Sequence, residues 1–477
     1  MLLRQVFDPK LAQYAYLIGC QRTGEALVID PERDVDRYLH LAREEGLRIT
    51  AVAETHIHAD FLSGARELAE AVGAKLYLSD EGGPDWSYEW AKQGDYDVTL
   101  LHDGDSFRLG GIEIQAVHTP GHTPEHLSFL VFDRGSGASE PIGIASGDFV
   151  FVGDLGRPDL LESAAGLVGQ RDPSARRLFH SVDRFLTLPD FVQVWPGHGA
   201  GSACGKALGA VPSSTVGYEK RHNAALDAAR RGEEAFVEAI LEGQPEPPLY
   251  FANMKRLNKL GPPVLGEVPT AEPLENETLL EVLTDSRTVV VDTRRDRAGF
   301  MEGHLAGALH APLDRSFPAV VGSYVQPEDD IVLVVDEERA EEAIRDLIRI
   351  GFDSIRGQIA PARLTDPLLA QHLRSIPVVD FAEAEIRRQQ SAVTGPPVTL
   401  LDVRGASEHG AGAIPGALNI AHTRLLDRLA QIPANGELWV YCRSGARAAS
   451  AVSALSRAGF DVTLVDDDFE RWQQRAA

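Results

Sequence analysis

Cysteine is nearly missing from this chain: three in 477 residues, at Cys20, Cys204 and Cys442. An odd and sparse set excludes a disulfide framework. It predicts a reducing, cytoplasmic compartment in which each thiol must be weighed for chemistry. Basic residues are also short relative to acidic ones: Lys+Arg 46 against Asp+Glu 71 leaves a formal charge of −25. Such a surface repels phosphate backbones and anionic lipid, so neither nucleic acid nor a membrane is expected as a partner. No apolar run approaches the ~18 residues of a membrane span. The N-terminus meets Asp8 and Pro9 before a signal-peptide core can form. What remains is ordinary for soluble domains, with 44% hydrophobic and 25% charged residues. At this length, about three domains are expected.

Over the first ~240 residues short apolar runs alternate with helical patterns. Tyr14–Gly19 and Ala26–Asp30 read as a hairpin, and Val35–Glu45 reads as a helix. Further strands are expected at Ile49–Ala53, Ala74–Leu78, Ile112–Val117, Leu127–Phe132, Ile142–Ala145 and Phe191–Trp195, with a helix at Ser174–Leu186. That mixture favours a layered α/β sandwich over one doubly wound sheet. Polar, proline-rich stretches at Glu242–Pro248 and Gly261–Pro273 frame a connector. Beyond it the chain repeats itself: Val289–Arg294 matches Thr399–Arg404, Gly303–Ala308 matches Gly412–Ala417, and Gly351–Asp353 matches Gly459–Asp461, at offsets of 110, 109 and 108 residues. A period that long is a duplicated α/β domain, not a solenoid unit. The expected domains are therefore 1–245, a connector at 246–274, and two copies at 275–372 and 375–477.

Thr55-His56-Ile57-His58-Ala59-Asp60-Phe61 follows one expected strand and packs three potential metal ligands into five residues. A polar loop with hydrogen-bonded histidines is the plain alternative. Three further turns repeat the pattern: Thr119-Pro120-Gly121-His122-Thr123, Ser146-Gly147-Asp148 and Pro196-Gly197-His198-Gly199 each set a His or Asp just past a strand end.

In these motifs residues 1–240 resemble the metallo-β-lactamase superfamily, which implies an αββα sandwich with metal held at one edge of its two sheets. Dinuclear zinc members read His-x-His-x-Asp-His, whereas the last position here is Phe61, which cannot ligate. A mononuclear centre follows, with His56, His122 and Asp148 as ligands and His58, Asp60 and His198 as supporting or alternative groups. Two histidines and a carboxylate with open positions suit Fe(II) that activates O₂. The persulfide dioxygenases are the most similar branch, through Thr-His-x-His-Ala-Asp, Thr-Pro-Gly-His-Thr and Gly156-Arg157-Pro158-Asp159. The resemblance implies one Fe(2+) per chain, with zinc as the ion a purified sample can carry instead. It also makes Arg157 and Asp159 an ion pair behind the site, a surface pair being the plain alternative. His102, His118 and His126 are expected in core or surface roles.

The second copy runs from Trp439-Val440-Tyr441 into Cys442-Arg443-Ser444-Gly445-Ala446-Arg447, then a helical pattern. A cysteine at a strand-to-helix turn meets backbone N–H groups and a helix N-terminus, which favour a thiolate. Arg443 and Arg447 are expected to add positive charge around it. With Asp402-Val403-Arg404, Glu408 and Ile414–Ala417, this stretch resembles the rhodanese sulfurtransferases, which implies that Cys442 carries sulfur as a persulfide. It departs from them at Ala413, where many members have His, and at Asp466-Asp467-Asp468, which replaces a common Gly-Gly pair. The first copy has Val335-Asp336-Glu337-Glu338 where the loop should be and no thiol, so it is expected to be inactive. Cys204, glycine-flanked six residues past His198, is either a sulfur relay or a packed thiol; Cys20 is expected in the core.

Together these resemblances imply O₂-dependent oxidation of a low-molecular-weight persulfide to sulfite and thiol at iron. Rhodanese transfer through Cys442 would then make or use thiosulfate, in the service of sulfide detoxification. A carrier thiol of the glutathione, coenzyme A or bacillithiol type suits this reading equally, and the family implies a homo-oligomer. The competing expectation is a dinuclear-zinc thioester hydrolase similar to glyoxalase II with an appended sulfurtransferase.

Overall fold

The computed structural model describes residues 1–163, 168–394 and 398–476. The chain forms two compact units, Met1–Val268 with Ile348–Gly351, and Pro269–Leu347 with Phe352–Ala477.

Two six-stranded sheets make the frame of the first unit, each with its strands in chain order. One holds Leu2–Asp8, Gln13–Cys20, Glu25–Ile29, Arg48–Ala53, Lys75–Ser79 and Val98–Leu101. The other holds Ser106–Leu109, Ile112–His118, Leu127–Asp133, Gly143–Gly147, Gln193–Pro196 and Ser214–Thr215. Side chains alternate between the two faces of a strand, and both faces here are apolar. Tyr14, Tyr16 and Ile18 meet Phe107, Ile114, Phe129 and Trp195 between the sheets. Ala15 and Leu17 pack outward with Tyr38, Ala65 and Leu68, on the helices Asp36–Glu44 and Ala65–Val72 and their flanks. On the other side Leu130, Phe132 and Val194 pack outward with Leu178, Val182, Leu226 and Phe236, mostly from the helices Arg171–Thr187, Ala224–Arg230 and Glu233–Leu241. The order is helix, sheet, sheet, helix, as expected.

Four strands escape sequence reading: Leu2–Asp8, Val98–Leu101, Ser106–Leu109 and Ser214–Thr215 all lie at sheet edges, where partial exposure blurs the apolar pattern. The strand expected from Phe191 begins at Gln193, because Phe191 lies in an exposed turn. A larger correction concerns the stretch read as a connector. Phe251–Leu260 within it is a helix that buries Phe251, Met254 and Asn258 in the first unit. None of the described helices is long and apolar enough to cross a membrane.

The second unit carries the duplication. Strands Thr288–Asp292, Asp330–Val334 and Ile355–Ile359 lie side by side and parallel, with Leu309–His310 at the edge. Val398–Asp402, Glu437–Tyr441 and Val462–Val465 repeat that order, with Leu418–Asn419 at one edge and Val378–Val379 at the other. The same buried ion pair closes each copy: Arg294 Nη2 sits 2.7 Å from Asp292 Oδ2 and donates to Gly303 O, and Arg404 Nη2 sits 2.6 Å from Asp402 Oδ2 and donates to Gly412 O.

Candidate metal centre and cysteine loop

At one edge of the sandwich the turns after four strands converge. Arg48–Ala53 runs parallel to Glu25–Ile29, so Asp30 and Thr55 emerge together. The Thr55 N–H and hydroxyl donate to the two Asp30 oxygens at 2.7 and 2.8 Å. With its proton committed, the Thr55 oxygen accepts from His56 Nδ1 at 2.9 Å, which leaves His56 Nε2 as a free lone pair. His122 is oriented in the same way, because Nδ1 donates to the Arg157 carbonyl at 2.9 Å. Its Nε2 lies 3.4 Å from Asp148 Oδ2. Ligand atoms of His56, His122 and Asp148 all lie within 4.8 Å of one another.

This arrangement fits a cation. His56 Nε2 and both Asp148 carboxylate oxygens are buried without a hydrogen-bond partner, a loss of roughly 1–3 kcal/mol for each such group if nothing else satisfies it. Burial lowers the pKa of His56, with His58 and His122 adding to the shift, and burial likewise lowers that of His122. Both imidazoles are therefore in the neutral form that binds metal.

The remaining motif residues divide between two neighbouring clusters. His58 Nε2 lies 3.2 Å from Asp30 Oδ1 and 3.1 Å from Glu54 Oε2. Although burial opposes it, these carboxylates raise the His58 pKa well above its usual value, and an imidazolium has no lone pair at Nε2 for a metal. Phe61 packs its ring 4.3 Å from that of His58. Asp60, His198 and Cys204 form the other cluster, with His198 Nε2 3.1 Å from Asp60 Oδ2 and 3.5 Å from Asp148 Oδ1. Burial and then the Asp60 charge push the Cys204 thiol up to about 12. Arg157 and Asp159 form a two-pronged pair at 2.8 and 2.7 Å with Arg157 fully buried; it is not a surface pair. Arg157 also donates to Ala203 O at 3.0 Å, tying the segment before Cys204 to the carbonyl that orients His122.

Several supports were not evident in the sequence. His126 Nε2 accepts from the Asp148 N–H at 3.0 Å, and its other nitrogen meets Thr119 Oγ1 at 2.8 Å. Its spacing four residues after His122 was the available signal. Asp30 has the strand-end placement that singled out the histidines, and a φ of 52°. Gly147 has φ 50° and leaves no room for a side chain, since a Cβ would lie 2.6 Å from Thr55 Oγ1 and 2.8 Å from His126 Nε2. Asn258 donates to His58 O and Phe61 O at 2.8 Å and accepts from the Ser63 N–H at 2.9 Å.

A narrow neck of about 10 Å³ lined by Ile57, Ala59 and His122 shares Trp86, Leu161, Ala252 and Lys255 with a cavity of about 1070 Å³. In so acidic a chain its lining is notably basic, with Arg177, Lys255, Arg256 and Lys259. Lys255 Nζ sits 3.6 Å over the Trp86 ring.

In the second unit Cys442 follows Glu437–Tyr441 and is buried, and Gly445, at φ 81°, turns the chain into the helix Ala446–Arg457. Arg447 pairs with Glu408 through two bonds of 2.6 and 2.8 Å. Glu408, and more weakly Cys442, favour its charged form against burial. Arg443 differs from expectation: it is largely exposed and pairs with Glu470 at 3.0 Å, so its charge faces solvent. Where the loop would lie in the first copy, Glu337–Arg339 forms a short 3₁₀ turn.

Residues 8–198 match the family described as the metallo-beta-lactamase superfamily, and residues 385–475 match the rhodanese-like domain. Persulfide dioxygenase ETHE1 of Bos taurus is 30% identical over 203 residues, 42% of this chain and 68% of that protein. A crystal structure of a metallo-beta-lactamase from Staphylococcus aureus shares 40% identity at a TM-score of 0.68, covering 76% of this chain and 99% of that one. The chain belongs to the metallo-beta-lactamase superfamily. Its metallo-beta-lactamase fold is followed by a rhodanese-like domain, and its persulfide dioxygenase relatives and candidate metal groups mark it as an enzyme of sulfur chemistry. A more distant superfamily relative, the probable polyketide biosynthesis zinc-dependent hydrolase BaeB of Bacillus velezensis, is 25% identical over 44% of this chain and 82% of its own length.

Proposed function

We propose that this protein oxidises a low-molecular-weight persulfide with O₂ to sulfite and thiol at one iron held by His56, His122 and Asp148, and passes sulfur through Cys442. The observation that carries the reading is the convergence of three buried ligands, with His56 Nε2 and both Asp148 oxygens left without a hydrogen-bond partner, beside a His58 whose Nε2 lies within ion-pair distance of Asp30 and Glu54. When bound, iron would supply the O₂ activation that side chains cannot. The chain's own residues hold the two imidazoles neutral and aimed, through Thr55 and the Arg157 carbonyl. The apolar neck excludes water, and the Arg177, Lys255, Arg256 and Lys259 lining draws an anionic carrier thiol of the glutathione, coenzyme A or bacillithiol type toward it. The three buried, unbridged thiols agree with a reducing cytoplasmic setting. The first copy, 275–372, has no thiol and acts in this reading without sulfur chemistry of its own.

One observation favours a second reading. Asp60 and His198 adjoin the ligand set through Asp148, which is where a second zinc of a thioester hydrolase similar to glyoxalase II would be held. O₂ consumption against a panel of persulfides, with metal content measured on anaerobically purified protein, separates the two. One iron per chain and persulfide-dependent uptake support the dioxygenase; two zincs and thioester cleavage without O₂ uptake overturn it.

A further inference from the structure

The helix Phe251–Leu260 carries three of the four cations around the basic cavity, and they spend their charge differently. Lys259 Nζ sits 3.2 Å from Glu89 Oε1. Arg256 is exposed and donates to Asn253 Oδ1 at 2.6 Å. Arg177, on the helix Arg171–Thr187, is exposed as well. Lys255 is half-buried, and among the described residues no carboxylate lies within ion-pair distance of it. Its ammonium is instead held over the Trp86 ring, which steadies a cation without cancelling its charge. Burial lowers the Lys255 pKa, with Glu125 acting the other way, so the charge is one that an incoming anion would stabilise. Four residues line both the neck and the cavity, Trp86, Leu161, Ala252 and Lys255, and of these Lys255 alone is charged. Asn258, one turn further along the same helix face, is bonded to the backbone of His58 and Phe61, which ties the lysine's place to the metal loop.

We propose that Lys255 is a specificity-determining residue: at the mouth of the neck its ammonium takes an anionic group of the carrier thiol, a carboxylate or a phosphate, and so selects charged persulfides over neutral ones. The inference rests on the persulfide reading of the metal centre. A persulfide whose sulfur end enters the neck beside His122 leaves its carrier in the cavity, because a neck of about 10 Å³ is about the room one water needs. Carrier atoms a few bonds from the sulfur then pass Lys255, which lines both spaces. An ammonium with no carboxylate of its own gives such a group a full charge-assisted hydrogen bond. Lys259 would first have to release Glu89, and the exposed Arg177 and Arg256 act through water and salt, which screen them.

The test measures O₂ uptake by the iron-loaded full chain with two pairs of substrates. Glutathione persulfide is compared with the persulfide of its diethyl ester, and coenzyme A persulfide with pantetheine persulfide. Each pair keeps the sulfur end and removes carboxylates or phosphates. The parent is expected to favour the anionic member of at least one pair by roughly tenfold in KM, the worth of one charged hydrogen bond, and the pair that shows it names the group. Lys255→Gln is expected to erase that preference by raising KM for the anionic member alone, with iron content kept, and Lys255→Arg to restore it. Equal KM within both pairs for the parent overturns the proposal without any variant. A Lys255→Gln defect of the same size on both members also overturns it, since the lysine would then act on the sulfur or on packing. A preference that survives Lys255→Gln overturns it too, and gives the selection to the exposed arginines. No O₂ uptake with any persulfide overturns the persulfide reading itself, and this proposal with it.

Discussion

Residue by residue, the centre is defined by which lone pairs are already spent. Asp30 takes the Thr55 proton, Thr55 takes the His56 Nδ1 proton, and the Arg157 carbonyl takes that of His122. Three ligand atoms are left facing one point. His56→Ala, His122→Ala or Asp148→Ala should each remove iron and at least a hundredfold of O₂ uptake, by the order of loss typical when metal-site groups are removed; iron assay and an oxygen electrode check it, and two variants retaining both would sink the assignment. Glu54→Gln tests the capture of His58. One carboxylate fewer beside His58 Nε2 should let that nitrogen lose its proton and bind metal, so zinc titration should rise from one toward about two equivalents per chain. An unchanged stoichiometry would mean that Glu54 does not set the count.

At the scale of elements, strand ends bring the donors together and glycines let the turns approach, while a helix outside the sandwich strands braces the metal loop. Asn258, on Phe251–Leu260, makes three buried bonds to the backbone of residues 58–63. Asn258→Ala should lower unfolding stability by about 2–3 kcal/mol, because groups left unpaired in the interior lose their partners outright. Denaturant unfolding with iron content measured in parallel checks this, and a loss below half a kcal/mol, about the scatter of surface substitutions, would count against the brace. The histidines were legible because each stands just after an apolar run with glycine or threonine beside it. The fate of His58 was not, since Asp30 lies on a different strand and its role follows from parallel pairing, which sequence spacing does not encode. Nor was the brace: Gly261–Pro273 and Glu242–Pro248 look like linkers, and ten residues between them form a helix because packing of Phe251 and Met254 outweighs their flanks. Edge strands stayed hidden for the opposite reason, having too little burial to impose a pattern.

For the molecule as a whole, the duplication was legible from three matched offsets, and its two sheets repeat the same strand order. One copy keeps a thiol at the strand-to-helix turn and the other has Glu337–Arg339 there. Metal ligands and Cys442 belong to different compact units, so their chemistry should separate by substitution. Cys442→Ser should leave iron content and the first round of O₂ uptake within about twofold of the parent, the scale of a surface change. Serine is close to cysteine in size, so the turn and its N–H groups survive, but a hydroxyl cannot carry a persulfide sulfur. The product should therefore shift from thiosulfate to sulfite, read by separating the two anions after a fixed O₂ consumption. A fall in O₂ uptake would instead make Cys442 the supplier of sulfur to the metal centre. Unchanged thiosulfate, after subtracting the spontaneous reaction of sulfite with persulfide, would remove the rhodanese-like domain from this pathway.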